Sequence, residues 1–111
     1  MAIFSTHLLN SIDGTHASDV EIIIYKLNND NKVVFLEDKT DSSGRMLKEF
    51  ELTKEDCESD YEMIINSGKY FRNTSEIINS ISVKFKMKDS EKKYHIPLII
   101  SPNGYSIWWS K

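Results

Sequence analysis

Turn-forming residues interrupt this chain about every 8–12 residues, and the runs between them are short, β-branched and aromatic, a pattern that points to a β-sandwich. The clearest interruptions are Asn10-Ser11-Ile12-Asp13-Gly14-Thr15, Asn28-Asn29-Asp30-Asn31, Thr40-Asp41-Ser42-Ser43-Gly44-Arg45 and Ser101-Pro102-Asn103-Gly104. Asx side chains that bond their own backbone, and glycines free to take positive φ, are what such turns need. Between them the sequence predicts strands over residues 2–9, 20–27, 32–38, 46–52, 61–65, 81–88, 94–100 and 104–109. In the run 81–88, Ile81, Val83, Phe85 and Met87 alternate with Ser82, Lys84, Lys86 and Lys88, which is a strand with one solvated lysine face. The run Val20-Glu21-Ile22-Ile23-Ile24-Tyr25 is nearly continuous, so this strand is expected to be covered on both faces. Thr53-Lys54-Glu55-Asp56 has the character of a helix start, and a single helical turn is expected within residues 67–76. The expected architecture is an all-β sandwich of about eight strands with one short helix. Pro97 falls inside an apolar strand, where it cannot donate a ladder hydrogen bond; it must sit at a bulge or turn its nitrogen away from a partner.

At 111 residues the chain fits one domain, residues 1–111, and with 40% apolar residues it can build a core without staples. The formal net charge of −3 argues against nucleic acid or an anionic membrane as partner. No apolar run reaches the roughly 20 residues of a membrane helix. The first residues carry no lysine or arginine and do not read as a signal peptide. Cys57 is the single cysteine, so an intrachain disulfide is impossible and a cytoplasmic location is expected. The C-terminal stretch carries Tyr105, Ile107, Trp108 and Trp109, whereas chain ends are usually polar. This stretch is therefore expected to be built into the protein body or into a contact with another copy.

Few residues can carry chemistry. The histidines are His7, His16 and His95, and the arginines are Arg45 and Arg72. His7 and His95 each lie on a predicted strand, where a half-buried imidazole bonded to a neighbouring strand is the ordinary occupant; His16 lies in a loop and is expected to face water. Arg45 directly follows a glycine turn, and its planar fork suits carbonyl or carboxylate groups. There is no phosphate-binding glycine loop and no nucleophile elbow. Cys57 lies among Glu55, Asp56, Glu58 and Asp60, whose negative field disfavours a thiolate. A metal site would need a third ligand from a carboxylate or another subunit, and none is expected.

Several segments together resemble the transthyretin-like family, and within it the 5-hydroxyisourate hydrolases. The first strand carries Ser5-Thr6-His7, the second turn Thr40-Asp41-Ser42-Ser43-Gly44-Arg45, and the segment after the central strand Gly68-Lys69-Tyr70-Phe71. The most specific stretch is Tyr94-His95-Ile96-Pro97-Leu98-Ile99-Ile100-Ser101-Pro102-Asn103-Gly104-Tyr105-Ser106, similar to the family signature Tyr-His-Val-Pro-Leu-Leu-Leu-Ser-Pro-x-Gly-Tyr-Ser. The hormone carriers of the family lack the two histidines, so the hydrolase branch is the better fit. The resemblance implies hydrolytic opening of the cyclic amide of 5-hydroxyisourate in urate breakdown, without cofactor or metal. It implies His7, Arg45 and His95 as catalytic residues, with His7, Arg45 and Trp108 binding substrate. It implies a homotetramer with its sites in the channel between two dimers, so that facing subunits help to bring the three catalytic groups together. The hydrolases usually end in Tyr-Arg-Gly-Ser, whereas this chain ends in Trp108-Trp109-Ser110-Lys111. Trp108 can form an aromatic wall in place of the tyrosine, but Trp109 supplies no guanidinium. The alternatives are a non-catalytic transthyretin-like protein that binds a small molecule, or a plain interaction sandwich.

Overall fold

In a computed structural model, described at residues 1–74 and 77–109, the strands form two sheets around one core. In chain order the elements are β1 (Ala2–Asn10), β2 (Glu21–Asn28), β3 (Asn31–Lys39), β4 (Arg45–Phe50), α1 (Lys54–Glu58), β5 (Asp60–Ile65), α2 (Ser67–Tyr70), β6 (Ile81–Lys86), β7 (Lys93–His95), β8 (Leu98–Ser101) and β9 (Gly104–Ile107). One sheet has the order β4-β1-β8-β9, with β7 also paired to β1; the other has the order β3-β2-β5-β6.

The expected sandwich is present, with nine strands rather than about eight among the described residues. The extra strand comes from Pro97, which divides the run 94–100 into β7 and β8. Ser5 pairs with His95 and Leu8 with Leu98, so the register against β1 is the same on both sides of the break. No residue is inserted, and of the two options for Pro97 the sheet uses the second. The Ile96 N–H still donates to the Ser5 carbonyl at 3.0 Å, and the Ile96 carbonyl accepts from the Thr6 hydroxyl at 2.7 Å. That bond also satisfies Thr6, which is buried in the core.

β1 shows the alternation of a strand with two different faces. Ala2, Phe4, Thr6, Leu8 and Asn10 point inward, and Ile3, Ser5, His7 and Leu9 point outward. Phe4 packs on Phe85 of the opposite sheet with ring centroids 5.2 Å apart, and Phe85 in turn packs on Tyr61 at 5.7 Å. Phe4 and Leu8 are fully buried, and burial of this kind contributes about 1.5–3 kcal/mol per side chain. β2 differs from expectation: Ile22 and Ile24 are buried, but Glu21, Ile23 and Tyr25 on its other face are only half-buried. Its apolar run reflects β propensity on a partly shielded face rather than a second covering layer. Among the described residues the helices number two. α1 is started by a capping box in which Thr53 and Asp56 bond each other's backbone N–H, and α2 occupies the first part of the expected helical turn. Ser75 and Glu76, at the end of that expectation, lie outside the described residues.

The turn before β4 positions the start of that strand. Asp41 accepts from the Ser43 and Arg45 N–H groups at 2.9 and 3.0 Å, and Gly44 has φ of +72°. A Cβ at Gly44 would lie 2.5 Å from the Leu8 carbonyl oxygen and 3.1 Å from the Ala17 nitrogen. Backbone closes on Gly44 from two sides, so both its φ and its lack of a side chain are required. Gly104 has open space around its Cβ position. Gly44→Ala is therefore expected to destabilise the fold by at least about 1–2 kcal/mol, lowering the thermal midpoint by several degrees. Gly104→Ala should shift it far less. Equal midpoints in thermal unfolding would contradict this account of the turn.

Candidate active site

The outward face of β1 gathers the titratable groups. His7 lies directly opposite Arg45 in the antiparallel β1–β4 ladder, and Ser5 lies directly opposite His95 in the parallel β1–β7 ladder. Ser5 and His7 share a face two residues apart, a spacing of roughly 6.5–7 Å along a strand. Arg45, His7 and His95 thus sit on three adjacent strands of one sheet. A single chain therefore places all three on the outward face of one sheet. The His95 ring is held by its Nδ1, 2.8 Å from Ser5 Oγ, which leaves Nε2 for a ligand.

His7 is half-buried, and its pKa is lowered from the ordinary histidine value of 6.5. Desolvation is the largest cause, followed by the positive Arg45 guanidinium and by His16, with His95 contributing less; a hydrogen bond to the Ser43 backbone works in the opposite direction. The ring is therefore held neutral near pH 7.

His16 is the residue that sequence reasoning missed. Its ring is exposed, but its Nδ1 lies 3.0 Å from His7 Nε2, with ring centroids 5.1 Å apart. After β1 the chain reverses at Asp13-Gly14, and Asn10 N–H donates to the Thr15 carbonyl while Ala17 N–H donates to the Leu8 carbonyl. His16 thereby forms a bridge opposite Leu9, extending the sheet beyond the point where β4 begins. Opposite Leu9 and diagonal to His7, it shares the outward face. The Asp-Gly turn after a strand ending at Asn10 was the available signal, since a tight reversal returns residues 15–17 alongside β1.

Trp108 follows β9, and its N–H donates to the Pro97 carbonyl at 3.4 Å. Trp108 and His95 line a cavity of about 810 Å³ with Val83, Phe85, Tyr94 and Ile107. This concavity opens at the side of the sandwich between β6 and β9. His7 and Arg45 do not line it; they lie on the open sheet face beyond its rim. His95 is common to the titratable cluster and to this cavity. Arg72 lines a separate polar recess with Asp19 and Lys69. The C-terminal stretch is built into the protein body only in part: Gly104–Ile107 joins the sheet as β9, whereas Trp108 is 46% exposed and Trp109 70%. Ser110 and Lys111 lie outside the described residues.

The profile of the HIUase/Transthyretin family matches residues 4–109. The chain belongs to this family. A relative named 5-hydroxyisourate hydrolase 2, from Rhizobium meliloti, is 27% identical over 110 residues, covering 94% of this chain and 92% of its own length. The structure of Klebsiella pneumoniae 5-hydroxyisourate hydrolase superposes with a TM-score of 0.80 at 20% identity, covering 98% of this chain and 99% of that one. An (S)-allantoin synthase structure superposes with a TM-score of 0.82 at 22% identity; it covers 99% of this chain, which spans only 44% of that larger protein. The two superpositions establish the shared transthyretin-like fold. Among the described residues no helix is long and apolar enough to cross a membrane.

The lowered His7 pKa has a measurable sign. The unfolded chain binds this proton more readily than the folded one, so stability falls as pH drops below 6.5 toward the folded value. Titration followed by the His7 ring resonances should give a midpoint below 6.5, and Arg45→Gln should move that midpoint upward. A His7 midpoint above 6.5 in the native protein would overturn this picture of the site.

Proposed function

We propose that this chain is a 5-hydroxyisourate hydrolase, opening the cyclic amide of its substrate in urate breakdown. The observation that carries the reading is the cross-strand pairing of His7 with Arg45, beside a His95 anchored by Ser5. The names of the relatives support the same reaction class. Water is a poor nucleophile and needs a base. His7, held neutral by burial and by Arg45, takes a proton from water as its oxygen bonds to the ring carbonyl carbon. Arg45 holds the substrate carbonyls and offsets the oxyanion that forms, a contribution of about 3–4 kcal/mol in comparable sites. Collapse of that intermediate breaks the carbon–nitrogen bond. His95, with Nδ1 on Ser5 and Nε2 free, protonates the leaving nitrogen, and the product is the open carboxylate.

The reading includes a homotetramer. The outward face of β1 and β4 is open and carries Leu47, 59% exposed, beside the charged groups. Such a face encloses a substrate when a second copy covers it and excludes water, which strengthens the electrostatic contacts. Trp108 then supplies an aromatic wall to the substrate. A free, half-buried Cys57 fits a reducing cytoplasm.

A second reading has one observation in its favour. The 810 Å³ cavity is largely apolar and bordered by Trp108 and Trp109, where the hydrolases carry Tyr-Arg. A binding protein that has lost turnover would hold an apolar ligand there.

Freshly generated 5-hydroxyisourate separates the two. The hydrolase reading expects its absorbance to decay faster with the protein, and His7→Ala and His95→Ala each to slow turnover by roughly 10²–10⁴-fold. Ligand binding without absorbance loss would instead favour the second reading. Replacing residues 108–111 by Tyr-Arg-Gly-Ser is expected to raise turnover, since it restores a guanidinium; an unchanged rate would mean that the natural ending already serves the reaction.

A further inference from the structure

We propose that His7 and His16 form a binding site for a divalent transition-metal ion, and that metal there switches off the ring-opening activity. The inference of a site rests on geometry alone; the switching rests on the hydrolase reading.

His7 Nε2 and His16 Nδ1 face each other at 3.0 Å. Two lone pairs at that distance repel, so either an N–H of one ring points at the lone pair of the other or a metal ion takes the place of that hydrogen. With metal–nitrogen bonds of about 2.0–2.1 Å, two imidazoles on one ion are separated by roughly 2.9 Å at a right angle and about 3.4 Å at the tetrahedral angle. The observed separation falls inside that interval.

The surroundings set the strength of binding. Arg45, opposite His7 on β4, and the nearby His95 of β7 oppose a cation, while Asp41 in the turn before β4 lies close enough to interact with His7 and favours one. Among the described residues no third histidine, cysteine, aspartate or glutamate joins the pair, so water fills the remaining positions. The ligand set is two neutral imidazoles, which suits Zn²⁺, Ni²⁺ or Cu²⁺ and not Mg²⁺ or Ca²⁺. Since a metal on His7 Nε2 occupies the lone pair that would take the proton from water, occupancy and turnover exclude each other.

The test is calorimetric titration of Zn²⁺ into the full chain at neutral pH, with the histidine resonances followed in parallel. The expected result is one saturable site per chain, shifts confined mainly to the His7 and His16 rings, loss of the site in His16→Ala, and retention in His95→Ala. Absence of saturable uptake, or uptake that survives His16→Ala, overturns the site and leaves a plain imidazole–imidazole hydrogen bond. The ring resonances of the unsubstituted protein decide the question even where a variant fails to fold. In the activity arm, Zn²⁺ is expected to suppress turnover of the unsubstituted chain, a chelator to restore it, and His16→Ala to be insensitive relative to its own metal-free rate. Zn²⁺ bound at the pair without loss of turnover overturns the switch. A metal-free protein that does not hydrolyse the substrate overturns the hydrolase reading, and the switch with it, while the binding result stands by itself.

Discussion

The structure depends on β1 being a strand with hydrogen-bonded neighbours on both sides and two unlike faces. Its backbone is paired with β4 on one side and with β7 and β8 on the other. That pairing fixes every second residue inward, and a slip of one residue would exchange the faces. Phe4 and Leu8 would then meet water, and His7 and Ser5 would enter the core. The cost of that exchange holds the register, and the register places His7 opposite Arg45. The packing that stabilises the sandwich therefore also positions the candidate site. No loop has to be ordered separately to bring the guanidinium to the imidazole.

Much of this was legible in the sequence because it depends on local rules. The alternation at Ile81, Val83, Phe85 and Met87 shows which face of β6 is solvated, and Lys84 and Lys86 are exposed accordingly. The turn at Thr40-Asp41-Ser42-Ser43-Gly44-Arg45 needs a glycine at positive φ, and Gly44 has it. What was not legible depends on contacts between segments. The apolar run at Val20 does not show whether a second layer lies above it, and β2 has none over Ile23. The alternation around Pro97 does not show that Thr6 supplies a side-chain hydrogen bond at the break, so one expected strand becomes two. His16 looked like a solvated loop residue. Its exposure fits that description, but its neighbour is set by how the loop folds back, which a strand-by-strand pattern does not contain. His7, Arg45 and His95 were singled out by resemblance rather than by pattern; the ladders bring them onto one face within the chain, where a contribution from facing subunits had been expected.

The electrostatics of that face divide the work between its groups. The Arg45 charge opposes a second one on His7. The guanidinium proposed to hold carbonyl oxygens thus also favours the unprotonated form of the neighbouring imidazole. Burial acts in the same direction, because charging a half-buried ring sacrifices hydration. A lysine at position 45 would carry charge without the planar fork, so it could retain the effect on His7 while losing two-point contact with the substrate.

The two open edges at the side of the sandwich are protected differently. β6 carries Ser82, Lys84 and Lys86 on its solvated face, and lysines on an edge strand discourage pairing with another chain. β9 has no such residues: Gly104, Tyr105, Ser106 and Ile107 present an uncharged edge, continued by Trp108 and Trp109. A sheet edge with free backbone groups and exposed aromatics is costly for a protein that remains a monomer, because it invites unspecific pairing. It is an asset where one defined pairing covers it, since the same backbone groups then set the register of the contact. The tail that departs from the hydrolase ending therefore stands at the junction of the proposed assembly and the proposed site, and a change at Trp108 or Trp109 bears on both.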